Sequence, residues 1–285
     1  MTPGTLFLVA TPIGNLEDIT ARALRVLRES DLIACEDTRR TARLLTRYGI
    51  TTPRQSYHEH NEAERAGQLL ELLRAGKRIA LVADAGMPLV SDPGHRLVSA
   101  CRAEGIPVTP IPGPSAAISA LAASGLPSDA FFFAGFLPPR SSARRRKLED
   151  LAGIGATLVF YEAPHRLLES LRDVAGIYGP RRACVARELT KLHEEWLCGP
   201  LNEILRQLEQ RPSIRGEVTL VVEGGSGKAA PDADYPDSLL AHLEEEMRGT
   251  GAGQKEALKA VARRRGLSRR EAYDLLVKEK QHRKE

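Results

Sequence analysis

Short apolar runs rich in β-branched residues alternate with segments of helical periodicity along most of this 285-residue chain, and no other feature constrains its fold as strongly. Such an alternation buries both faces of its strands only as a parallel or mixed sheet covered by helices, so an α/β architecture is expected. Strands are expected at 5–10, 31–35, 78–83 and 107–111, with a weaker one near 54–57. Helices fall between them at 20–29, 38–48, 60–75, 94–104 and 114–124. In the third of these, Ala66, Leu69, Leu70, Leu72 and Leu73 recur at helical spacing behind Glu62 and Glu64, and Gly76 is the stop signal.

A Gly and Pro turn from Ser124 to Asp129 interrupts the series, which resumes with Phe131, Phe132 and Phe133. Strands at 156–161, 182–187, 193–198 and 217–223 then alternate with helices near 142–152, 165–175 and 200–210. The domains read from this pattern are an N-terminal α/β domain at 1–125, a second at 126–225, a Gly, Ser, Ala and Pro linker at 226–237, and a helical, basic domain at 238–285. That last piece should hold helices at 238–248, 254–265 and 268–279. Ala257, Leu258 and Val261 mark one packing face, and Ala272, Leu275 and Leu276 the other. Ser268 and Glu271 form a capping-box signature, and Arg269, Arg270, Lys278 and Lys280 make the outer face basic. A basic helical hairpin suits a docking element better than a sequence reader.

The net charge of +4 says little by itself, but from Lys255 to Glu285 eleven basic residues stand against five acidic ones. A second basic concentration is Arg140, Arg144, Arg145, Arg146 and Lys147. Patches of this kind either attract phosphate backbones through counterion release or are solvated helix faces. The four cysteines show no CxxC pair and sit in apolar runs, so neither a disulfide framework nor a zinc site is expected. His58 and His60 around Glu59 read as a strand-to-helix connection, and no metal is expected. No apolar run approaches the roughly 20 residues of a bilayer span, and no signal-peptide pattern opens the chain. A cytoplasmic protein without membrane insertion is expected.

Three loops share one edge of the first sheet, where α/β proteins gather ligands. The first, Ala10 to Asp18, follows the first strand; Pro12 and Gly14 suit either a sharp turn or close approach to a ligand, and no GxGxxG is present. The second, Ala83 to Gly94, is a long loop of small residues with Asp84 and Asp92, the latter placed with Pro93 as an N-cap and first helical residue. The third passes through Pro112-Gly113-Pro114 to Ser115 and an alanine-rich helix. Together they offer backbone donors, carboxylates and an apolar slot, which a cofactor carrying an amino acid, a ribose and an adenine requires. Gly224 to Lys228 is not a phosphate loop, because Val222 and Ala229 replace its first Gly and its Ser or Thr.

These three loops, with Cys35-Glu36-Asp37-Thr38-Arg39 and Phe160-Tyr161-Glu162-Ala163-Pro164-His165-Arg166, resemble over nearly the whole chain the RsmI-type small-subunit rRNA methyltransferases, a branch of the tetrapyrrole methylase superfamily. The resemblance implies a two-domain α/β (class III) methyltransferase with a small C-terminal helical domain, forming a homodimer. It implies S-adenosyl-L-methionine in the cleft between domains and 2′-O-methylation of a cytidine in the decoding region of 16S rRNA. Motif matching places cofactor contacts at Pro12, Ala85, Gly86, Met87, Val90, Ser115, Ala116, Glu162 and Leu189, with Ser91, Tyr161 and Thr219 nearby. The first loop departs from the Gly-rich porphyrin-type form, so it is read as an RNA-facing wall with Asn15 against the ribose.

Methyl transfer asks mainly for alignment and dryness, with a base for the hydroxyl proton. Glu36, Asp37 and Glu188 are candidates, although Glu36 and Asp37 equally suit helix capping and pairing with Arg39 or Arg40. Arg39, Arg40, the Arg140 to Lys147 cluster, Arg269 and Arg270 could cradle RNA, while Tyr57, Phe136 and Tyr161 could stack on a base or simply pack. Two rival readings stand beside this one: methylation of a tetrapyrrole, and an RNA-binding protein that has lost catalysis.

Overall fold

The computed structural model describes residues 3–225, 236, 238–251, 253–265, 267 and 269–282. The expected linker, apart from Pro236, and Ser268 of the capping box lie outside the described residues.

The chain divides into two compact units, one of Met1–Leu148 with Thr157–Glu223 and one of Glu149–Ala156 with Gly224–Glu285. In the first, β1 (Thr5–Val9), α1 (Ala21–Glu29), β2 (Leu32–Cys35), α2 (Thr38–Arg47), β3 (Arg54–Ser56), α3 (Glu62–Arg74), β4 (Arg78–Val82), α4 (His95–Ala103) and β5 (Val108–Ile111) follow one another. The five strands pair in parallel in the order β3-β2-β4-β1-β5. Successive side chains point to opposite faces, and both faces are covered. Val9, Ile33, Ala80 and Val82 thus pack with Val26, Leu27, Leu44 and Leu45, whereas Leu6, Ala34, Ile79 and Leu81 pack with Leu69, Leu73, Leu97 and Cys101. The near-continuous apolar runs of these strands have this origin.

The chain continues with α5 (Ala116–Ala123), β6 (Phe131–Phe136), α6 (Ser141–Leu151), β7 (Thr157–Glu162), α7 (Leu167–Tyr178), β8 (Arg182–Arg187), β9 (Glu195–Pro200), α8 (Leu201–Glu209) and β10 (Val218–Val222). The second sheet is mixed, in the order β6-β7-β10-β8-β9, with β6 parallel to β7 and the other pairs antiparallel. Both sheets fall in the first compact unit. Helix α5 links them: Ala117, Ala120 and Leu121 pack with Ile13 of the first half and with Val159, Cys184, Ala186 and Val221 of the second sheet. The opposite face of the helix, with Ile118 and Ser119, stays exposed.

Four local expectations change. Cys184 and Cys198 are joined as a disulfide, because the β8–β9 register sets them directly opposite each other with Cα atoms 4.0 Å apart. Helix α4 is capped by Gly94 at φ 134°, so Asp92 and Pro93 stay in the loop. Helix α7 starts only at Leu167, after a 3-10 turn at Pro164–Arg166, and ends at Gly179. Strand β9 starts two residues late because the chain turns at Glu188 and Thr190, both with positive φ.

The second unit contains α9 (Leu239–Thr250), α10 (Gln254–Arg264) and α11 (Arg269–His282). Leu239, Leu243, Ala257, Val261, Ala272 and Leu276 form its core, while Leu275 is exposed beside a narrow seam. Glu279 of α11 caps α9 by accepting the Leu239 and Leu240 amides and the Ser238 hydroxyl.

Candidate active site

The three loops of the first sheet do meet. Thr11 and Gly86 exchange both backbone hydrogen bonds at 2.9 Å, and the Thr11 hydroxyl donates to the Ala83 carbonyl. Gly113 lies so close to Ala10 that an added Cβ would come within 2.9 Å of the Ala10 Cβ. Gly86 has φ 77° and nothing nearer than 3.5 Å where a Cβ would stand, so its backbone is open to a ligand.

The second sheet supplies the facing wall. Its ladders set the end of β7 beside the start of β10, pairing Tyr161 with Thr219 and Glu162 with Val218, and bring the end of β8 to the same edge. A bulge at Gly135, φ 64°, shifts the β6 register so that Phe136 falls opposite Tyr161 with ring centroids 5.6 Å apart. Lys147 braces the bulge by donating to the carbonyls of Ala134 and Phe136. Across the cleft, Asn15 N–H donates to the Thr190 hydroxyl at 3.0 Å.

The cleft so formed has a volume of about 370 Å³. Among the expected cofactor contacts Ala85, Gly86, Met87, Val90, Ser91, Ser115 and Ala116 line it from the first half, with Tyr161, Glu162, Leu189 and Thr219 from the second. Pro12 does not, and its neighbour Ile13 takes the place. Asp84, Asp92, Phe136, Ala186 and Val218 also line the cleft. The loop carboxylates were visible as residues in a long loop, but nothing in their spacing marks which of them faces the cleft.

Most carboxylates here are already committed. Glu162, almost wholly buried, accepts from Ser170 Oγ at 2.5 Å and the Ala163 amide at 2.8 Å, and pairs with Arg166 at 3.0 Å. Asp84 accepts the Asp37 amide at 3.1 Å and pairs with Arg40 at 3.3 Å. Asp37 is the N-cap of α2, accepting the Arg39 amide at 2.7 Å, which holds its carboxyl below the usual range. Glu188 holds Lys191 Nζ at 2.8 Å and the Glu217 amide at 2.9 Å. Glu36 lies outside the cleft lining, and burial with the Asp84 charge raises its pKa. Asp92 is pushed up to about 7 by burial and by the negative charges of Glu36 and Asp84.

Several expected roles are corrected. Tyr57 cannot stack on a base, because it is 1% exposed and its hydroxyl donates to Glu62. Arg144 cannot reach RNA, because 2% of its side chain is exposed and it pairs with Asp173 at 2.7 Å. Lys147 is spent on the bulge. Arg39, Arg40, Arg140 and Arg146 are exposed, and Arg145 is about half exposed while bound to Asp173. The side chains of Arg269 and Arg270 lie outside the described residues.

The groups left over suit S-adenosylmethionine. Ser115 makes no capping bond to α5, so its hydroxyl is an uncommitted donor at the start of that helix, whereas the Ala117 amide is engaged by Tyr161. The slot of Ile13, Met87, Val90, Ala116, Ala186 and Leu189 would take the adenine, and loop backbone from Asp84 to Met87 the polar ends.

Residues 5–205 match the family Tetrapyrrole (Corrin/Porphyrin) Methylases. The same fold occurs in uroporphyrin III C-methyltransferase from Thermus thermophilus, with TM-score 0.54 and 20% identity over 77% of this chain and 97% of that one. A structure of that enzyme complexed with S-adenyl homocysteine matches with TM-score 0.53, 20% identity and the same coverage. Fold and cleft therefore define a tetrapyrrole-methylase-type methyltransferase. Ribosomal RNA small subunit methyltransferase I of Halalkalibacterium halodurans is 48% identical over 278 residues, covering 97% of this chain and 96% of the relative. The proteins of that name from Thermotoga maritima and Bacillus subtilis are 51% and 45% identical, over 78% and 95% of this chain and 99% and 93% of theirs. The chain belongs to the ribosomal RNA small subunit methyltransferase I family of tetrapyrrole methylases.

Proposed function

We propose that this protein transfers a methyl group from S-adenosylmethionine to 16S rRNA of the small ribosomal subunit, at the ribose 2′-oxygen of a cytidine in the decoding region, as a cytoplasmic homodimer. The observation that carries this reading is a cleft whose uncommitted donors and apolar slot suit the cofactor, in a chain 45–51% identical to methyltransferases named for that RNA. When bound, the cofactor supplies an electrophilic methyl group on a sulfonium. The protein has to align the 2′-oxygen, exclude water and receive a proton.

Phe136, half exposed and tilted against Tyr161, suits stacking on a base turned out of its helix, and Arg40 borders the same cleft. Arg39, Arg140 and Arg146 are exposed cations able to hold phosphates. The exposed Phe131 and Phe132 on edge strand β6 suit burial against a second copy, which sedimentation at micromolar concentration would detect.

The test is to incubate the protein with tritiated S-adenosylmethionine and small-subunit particles, naked rRNA or a uroporphyrinogen, then map the labelled nucleotide. Label on a cytidine ribose of 16S rRNA is expected. Label in the porphyrin, or none anywhere despite cofactor binding, would overturn the proposal.

A further inference from the structure

We propose that Asp92 is the catalytic residue that accepts the 2′-hydroxyl proton, an assignment that rests on the function proposed above. Five other carboxylates near the cleft, Asp37, Asp84, Glu162, Glu188 and Glu217, are each held by an amide, a hydroxyl or a cation at 2.5 to 3.3 Å. Glu36 and Asp92 make no hydrogen bond or ion pair among the described residues, and of these two only Asp92 lines the cleft. A base must keep a lone pair free for the substrate hydroxyl, and this carboxylate does.

Its backbone is held in an expensive conformation. Leu89 and Ser91 have φ 72° and 68°, and Gly94 at φ 134° opens α4 where a Cβ would sit 2.9 Å from Leu81 Cδ2. Left-handed non-glycine residues cost on the order of 1 kcal/mol or more each and persist where the surroundings over-determine them, often at functional sites. The strained segment places Asp92 on the same cleft as Tyr161, whose own pKa is raised by burial and further by the Asp92 charge.

The charged groups around Asp92 match the task. Glu36 after β2 and Asp84 after β4 raise its proton affinity, Arg40 of α2 partly neutralises Asp84, His58 offsets Glu36, and Tyr161 of β7 lines the same cleft. A carboxyl near 7 exchanges protons with solvent at cellular pH and is a stronger proton acceptor than an ordinary carboxylate. In the step itself the 2′-oxygen forms its bond to the methyl carbon as the carbon–sulfur bond breaks. The O–H proton passes to the Asp92 carboxylate, leaving S-adenosylhomocysteine, methylated ribose and neutral Asp92, which returns its proton to water.

The test compares wild type, Asp92→Asn, Asp92→Glu and Glu36→Gln. In the cofactor-free protein, carbon-13 carboxyl NMR should show one carboxyl titrating near pH 7, absent in Asp92→Asn and moved to lower pH in Glu36→Gln. Calorimetry should find S-adenosylhomocysteine bound by Asp92→Asn within about threefold of wild type. Single-turnover methylation of small-subunit particles should fall by roughly 100-fold or more in Asp92→Asn, with its pH dependence flattened and partial recovery in Asp92→Glu. Asp92→Asn within about threefold of wild type across pH 5.5 to 8.5, or losing cofactor affinity as much as rate, overturns the assignment. Wild type that labels no RNA defeats the proposed function and this role with it, while label that persists in Asp92→Asn defeats this role alone.

Discussion

Arg144 of α6 donates from Nε to Oδ2 of Asp173 on α7 at 2.7 Å, and 2% of its side chain remains exposed. Burial alone would raise the Asp173 pKa; hydrogen bonds from Arg144, Arg145 and Ser141 outweigh it and hold the carboxyl below its usual value. Removing one member of a buried pair strands the other, at a cost of about 3–5 kcal/mol. Arg144→Ala should therefore lower stability by that order in urea unfolding, whereas the exposed Arg146→Ala should change it by less than about 0.5 kcal/mol. RNA affinity should respond the other way round, with Arg146→Ala alone weakening it and reducing its salt slope.

That pair shows where sequence reading stops. The alternation of apolar runs exposes the strands of both sheets, and the small residues of Ala83 to Gly94 expose a binding loop, because both are local consequences of composition and period. Whether Arg144 points to solvent or to Asp173 depends on how α6 meets α7, which no window of α6 contains. The same holds for Cys184 and Cys198, paired by register, and for Asp92, whose proton affinity is set by Glu36 and Asp84 from other strands. The docking of α5 on the second sheet is legible only in hindsight, from a helix with no polar face.

Gly14 admits no side chain: a Cβ would fall 2.8 Å from the Leu189 carbonyl and from Thr190 Oγ1. Gly14→Ala should push the first loop away from Leu189, which lines the cleft, and disturb the Asn15 to Thr190 hydrogen bond. A stability loss of about 1–3 kcal/mol is expected, with weaker binding of S-adenosylhomocysteine by calorimetry. Gly67, inside α3 with open space at its Cβ, is the control, and Gly67→Ala should stabilise by about 0.5–1 kcal/mol with unchanged binding.

Glu195 is clamped by Arg211 at 2.5 and 2.8 Å and by Arg187 at 2.9 Å. The Arg211 hydrogen bonds, against some desolvation and with help from Arg187, lower its pKa from 4.5 to about 2. The folded state thus holds this proton less tightly than the unfolded chain. The clamp's contribution is present above pH 4.5 and is lost as pH falls through about 2. On the order of 2 kcal/mol, after discount for partial exposure, should separate wild type from Glu195→Gln at pH 6, and melting at pH 2 should bring the two together.

Asp92 has the opposite sign. Its pKa, raised from 3.8 to about 7 by burial and then by Glu36 and Asp84, means that the folded state binds the proton more tightly than the unfolded chain. Wild type should therefore lose stability as pH rises from about 4 to 7 and level off above, through the ionisation of this group. Asp92→Asn carries no such group, so it should be the more stable protein at pH 8, by on the order of 1–2 kcal/mol, and close to wild type near pH 4. Thermal melting at the two pH values reads the difference directly. A variant that gains stability while losing methyl transfer is what a residue kept for chemistry predicts, since a group retained for packing would destabilise on removal. Equal loss of stability at both pH values would instead make Asp92 a structural part of the loop between β4 and α4.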